Sequence, residues 1–96
     1  MIEFAANNEA GITFFIDKFS KDTLPWHIDM LCATDSDKVY GVFRIPNMVW
    51  IKAVGFDDDT LFYMEDFLIR NASIIERMCW HPEDFETLKL DGGVDP

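Results

Sequence analysis

Lys38-Val39-Tyr40-Gly41-Val42-Phe43-Arg44-Ile45-Pro46-Asn47-Met48-Val49-Trp50-Ile51-Lys52-Ala53-Val54 is the stretch that decides the fold. It reads as two strands, Lys38 to Ile45 and Met48 to Val54, joined at Pro46-Asn47. Proline presets φ for the first central position of a turn, and asparagine accepts the second. Side chains alternate across a strand, so Val39, Gly41, Phe43 and Ile45 share one face. In the second strand Val49, Ile51 and Ala53 oppose Met48, Trp50, Lys52 and Val54. Both faces are rich in apolar side chains, which predicts a central place in a sheet or a second face covered by another layer.

Upstream, Ile2-Glu3-Phe4 and Gly11-Ile12-Thr13-Phe14-Phe15-Ile16 flank Asn7-Asn8-Glu9-Ala10. Asparagine tolerates the positive φ of tight hairpin turns, so a first hairpin is expected there. Trp26 to Cys32 alternates as a strand with Trp26, Ile28, Met30 and Cys32 inward. A short helix capped by Asp22 or Thr23 competes, because Pro25 suits a first helical turn.

Downstream, Asp57-Asp58-Asp59-Thr60 opens a helix: one aspartate caps free backbone N–H groups, and all three complement the positive end of the helix dipole. Leu61, Met64, Leu68, Ala72, Ile75 and Cys79 recur at helical spacing, and Phe67, Ile74 and Met78 broaden that stripe. Asp66 and Arg70 are spaced for an i,i+4 ion pair on another face. Pro82 ends the helix by forcing His81 out of helical geometry. Phe85 to Leu90 is a last strand or short helix. The order predicts an α+β fold: an antiparallel, meander-like sheet of about five strands with one long helix, from about residue 59 to residue 80, on one face. Residues 1–90 are expected to form a single domain and residues 91–96 a flexible tail.

At 96 residues, 49% of them apolar, the chain has room and material for one core. Its 18 acids and 8 bases leave a net charge of −10. That balance opposes direct nucleic-acid binding, which needs a basic footprint, and opposes binding to an anionic membrane surface. The charge is also uneven. Met1 to Gly55 carries seven acids and five bases, whereas Phe56 to Pro96 carries eleven acids and three bases. An acidic half steers a basic partner, although acidic surface also serves solubility alone. Two cysteines are too few for a secreted disulfide framework, and neither a signal peptide nor a membrane span is visible. A cytoplasmic location is therefore expected, while nothing in the pattern specifies an oligomeric state.

Catalytic and metal constellations are weak. His27-Ile28-Asp29 could orient a base and Cys32 or Cys79 serve as nucleophile, but no second motif element accompanies either. His27, Cys32, Cys79 and His81 are zinc-ligand types without zinc spacing. Asp57 to Asp59 resembles the start of a calcium loop, yet Phe62 and Leu68 stand where its glycine and glutamate belong. The carboxylates from Glu83 to Glu86 suit a solvated edge better than a nuclease metal site. No cofactor, metal or enzymatic activity is expected.

What remains is recognition of another protein. Trp26, Trp50 and Trp80 suit core anchors, but tryptophan is also a preferred interface hot spot, and Trp80-His81 sits beside Glu83, Asp84 and Glu86. An acidic inhibitor is expected, of the immunity type, which neutralises a bacterial nuclease-type toxin by covering its basic active surface. Glu65, Asp66, Glu83, Asp84 and Glu86 would supply the electrostatic contacts and Trp80 the anchor. The alternative is a phage-encoded anti-CRISPR or DNA-mimic antagonist whose carboxylates imitate phosphates. A small secretion chaperone, which would be a stable homodimer, is a further one.

Overall fold

The computed structural model describes residues 1–83. Five strands, β1 (Ile2–Asn7), β2 (Ile12–Ser20), β3 (His27–Ala33), β4 (Tyr40–Ile45) and β5 (Val49–Val54), precede two helices, α1 (Asp58–Arg70) and α2 (Ala72–Trp80). The strands pair in chain order, each antiparallel to the next, as a five-stranded meander. The α+β class, the antiparallel sheet and the helical layer on one face agree with the expectation. The expected element from Phe85 to Leu90 and the tail of residues 91–96 lie outside the described residues.

One face of the sheet makes the core. Ile12, Phe14 and Ile16 from β2, Ile28, Met30 and Cys32 from β3, and Phe43 and Ile45 from β4 are buried against Met64 and Leu68 of α1 and Ala72, Ile75 and Met78 of α2. Each fully buried Leu, Ile, Phe or Met among them stabilises the fold by about 1.5–3 kcal/mol relative to exposure. The alternation of Trp26 to Cys32 therefore resolves as a strand, and Trp26 itself stands just before it, packed against the edge of this core.

The single long helix is instead two. At Asn71 the backbone leaves helical geometry (φ −104°, ψ 8°), although the i→i−4 bonds from Asn71 N–H to Phe67 O (3.1 Å) and from Ile75 N–H to Asn71 O (3.0 Å) persist. The Asn71 side-chain amide also donates to Phe67 O at 2.8 Å. The helix is thus interrupted at an asparagine, a residue whose side chain readily bonds back to its own turn. Ile74, assigned to the buried stripe by spacing alone, follows this break and is 48% exposed, while its neighbour Ile75 is fully buried. At the other end α1 starts as expected: the Asp57 carboxylate accepts the Thr60 N–H at 2.8 Å, with Asp58 and Asp59 in the first turn. α2 stops at Trp80 before Pro82.

The turns keep their positions but shift their chemistry. In the first hairpin Gly11, at φ +70°, takes the left-handed conformation, and Asn7 helps through its side chain, which accepts the Ala10 N–H at 3.1 Å. After Pro46-Asn47 the positive φ falls on Met48 (60°), whose N–H closes the turn on Arg44 O at 2.8 Å.

The β4–β5 pair also departs from strict alternation. The register shifts between Val42 and Phe43, so that Phe43 faces Trp50 while Val42 faces Lys52. Paired residues share a face, so this bulge puts Trp50 on the core side and Lys52 on the opposite side, although their spacing in sequence put them together. β5 is an edge strand, and no described helix covers the second face of the sheet. The apolar character of that face thus has an origin other than the central, doubly covered strand pair that the sequence suggested. Its middle row runs Phe15, Leu31, Val42 and Lys52 across four neighbouring strands.

Candidate functional site

The helical layer makes contacts at both ends of the sheet. At the β1–β2 hairpin end Tyr63 accepts a hydrogen bond from the Asn7 amide (2.8 Å), and Phe67 stacks on Phe14 with ring centroids 4.7 Å apart. At the far end the chain delivers three aromatic rings to one place: Phe19 near the end of β2, Trp26 before β3 and Trp80 in the last turn of α2. Trp80 meets Phe19 edge to face at 4.8 Å and Trp26 at 5.5 Å, and Phe19 meets Trp26 at 6.5 Å. Edge-to-face pairs of this kind contribute about 0.5–1.5 kcal/mol each beyond burial.

Trp80 is held by these contacts yet remains 41% exposed. Glu76 precedes it by one helical turn, and Glu83 follows within 3.6 Å of the His81 ring. The loop leading into Trp26 exposes Leu24 almost completely (99%), and the Thr23 hydroxyl shapes that loop by donating toward Ser20 O and Pro25 O. The end of the molecule is therefore an apolar, partly exposed surface, with Glu76 and Glu83 close to Trp80 in sequence.

The other expected contact residues are dispersed. Glu65 faces β5, where its carboxylate accepts the Trp50 indole N–H at 2.8 Å. Asp66 lies on the outer surface of α1 in the expected i,i+4 pair with Arg70 (2.6 Å). Both lie on α1, on the other side of the Asn71 break from Trp80. Asp84 and Glu86 lie outside the described residues. Of the expected set, Trp80 and Glu83 stand at and just beyond the end of α2, whereas Glu65 and Asp66 stand on α1. Phe19 was not anticipated as Trp80's neighbour, because β2 seemed to end at Ile16. The signal was the polar Asp17-Lys18, which marks a bulge between Ile16 and Lys18 and returns Phe19 to the core side opposite Ile28.

Electrostatically the helical layer is one-sided. Residues 57–83 hold seven acids against Arg70 and Arg77. Phe62 (67% exposed) and Ile69 stand among them on the outside of α1.

The thiols lack the environment of nucleophiles. Burial pushes the Cys32 thiol up to about 12, and burial together with the nearby Glu76 pushes Cys79 up to about 11, so both are protonated at neutral pH. His27, Cys32, Cys79 and His81 form no zinc cluster, and no group of three or more His, Cys, Asp or Glu residues among the described residues could hold a metal ion. No described helix is long and apolar enough to cross a membrane. Comparison with protein-family models, curated proteins and solved structures gave no match to this chain.

Proposed function

We propose that this chain is an acidic inhibitor that docks on a basic protein surface through its Trp80 end. The observation that carries this is a tryptophan fixed by Phe19 and Trp26 and still 41% exposed, one helical turn after Glu76 and three residues before Glu83. A ring already held in one orientation loses little conformational entropy on binding, and an aromatic anchor within a polar rim is the usual anatomy of an interface. The surplus of acids along residues 57–83 would steer a basic partner toward the same side. Within that class, neutralisation of a bacterial nuclease-type toxin fits best, since the toxin's nucleic-acid site supplies the basic surface.

Parallel pull-downs with wild type and Trp80→Ala from host lysate, washed with rising salt, test this. One basic protein retained by wild type at low salt and lost with Trp80→Ala is expected, as is inhibition of that protein's nuclease activity by wild type. A partner captured equally by both would remove Trp80 from the site. Capture of an acidic partner would remove the electrostatic basis of the proposal.

A further inference from the structure

The sheet face turned away from the helices has Phe15, Leu31 and Val42 side by side at its centre, all partly exposed and covered by no described element. Around them lie five charged residues paired in the same rows, Glu3 and Asp29 against Lys18, Arg44 and Lys52. Asp29 and Arg44 are joined by two hydrogen bonds, 2.9 and 3.3 Å, and Lys52 lies 5.3 Å from the Tyr40 ring centroid. This face is nearly neutral, with both signs interspersed. The remaining described residues hold twelve acids and four bases.

That contrast identifies the occupant. A contact between two copies through the helical layer sets acid against acid. Through the open sheet face, two copies meet with an apolar centre and with charges of both signs around it rather than acid against acid. A two-fold contact is self-complementary by construction, which suits a face carrying both signs. We infer that two copies of this chain pack through the open sheet face, sheet on sheet, as a symmetric dimer. The dimer leaves both Trp80 ends outside the contact, so it stands independently of the proposed function.

Sedimentation velocity on the full chain, from low micromolar to hundreds of micromolar, tests this. A dimer is expected. Leu31→Glu should raise its dissociation constant by at least about tenfold, the equivalent of 1.4 kcal/mol. Lys52→Glu, at an exposed position where folding is not at stake, should weaken it several-fold and more so at low salt. Phe62→Ser, on the outer side of α1, should leave it unchanged. Far-UV circular dichroism verifies that each variant is folded. A monomer at every concentration would overturn the inference, as would a dimer that tolerates both open-face substitutions or is lost with Phe62→Ser.

Discussion

Trp50 on β5 and Glu65 on α1 are joined across the edge of the sheet, the indole N–H donating 2.8 Å to the carboxylate. The bond ties an edge strand to the helical layer, and it gives an internal role to a carboxylate whose position in the sequence suggested a partner contact. Glu65→Ala leaves the half-buried indole N–H without its acceptor, which costs about 1–3 kcal/mol. Glu65→Gln keeps an oxygen acceptor and should lose less than half as much. Urea unfolding of the two variants measures the difference.

Gly41 depends on the same ring. A Cβ built there would stand 2.9 Å from the Trp50 ring and 3.1 Å from Lys52 O, and the ring, held by Glu65 and edge-on against Phe43, has little freedom to retreat. Gly41→Ala should therefore destabilise by about 1–3 kcal/mol, the usual cost of overpacking. In a cycle with Trp50→Leu, which removes the ring, the two losses should sum to more than the double variant shows.

Much of this architecture was legible because its causes are local. Gly41, Phe43 and Ile45 share the core face as their alternation requires, and Asp57 caps α1 as its place before an apolar stripe requires. What the sequence hid are events in which one residue competes with a regular ladder. The helix is interrupted at Asn71, whose side chain bonds to Phe67 O, and the bulges near Ile16 and Val42 reset which residues share a face. The Trp80 cluster was hidden for a further reason: its three rings come from β2, the loop before β3 and α2, and only the packing of α2 on the meander brings them together.

The break at Asn71 sets the phase of α2, and two adjacent isoleucines report it. Ile75 is fully buried, so Ile75→Ala should cost about 2–5 kcal/mol through the cavity it leaves. Ile74 is half exposed, so Ile74→Ala should change stability by less than about 0.5 kcal/mol. Similar losses from both, read by thermal or urea unfolding, would mean that α2 is rotated from the described phase.

Asp57 makes helix stability pH-dependent. Hydrogen bonds from the Thr60 side chain and backbone N–H hold its carboxyl below the usual carboxylate range. A group whose folded pKa is depressed contributes stability that is present above the unfolded value, about 3.9, and that is lost as pH falls through the folded value. Asp57→Ala should lower Tm at neutral pH, and the gap to wild type should close in that acid window. Asp57→Asn, which caps without titrating, should show a gap that varies differently across the same window.

Trp80 is required to do two things, and they can be separated by the size of the replacement. Its edge-to-face contacts with Phe19 and Trp26 brace the end of α2 against the sheet, so Trp80→Ala should cost about 1–3 kcal/mol by loss of two aromatic pairs. Trp80→Phe keeps a ring against both neighbours and should retain most of that stability, while removing the indole's outer edge. If Trp80 anchors a partner, the phenylalanine variant should be nearly as stable as wild type in urea yet weaken binding at least about tenfold, because hot-spot energy depends on filling the partner's pocket. If Trp80 only closes the core, Trp80→Phe should bind as wild type does, and any weakening with Trp80→Ala should follow its loss of fold. Paired unfolding and titration curves for the two variants decide which.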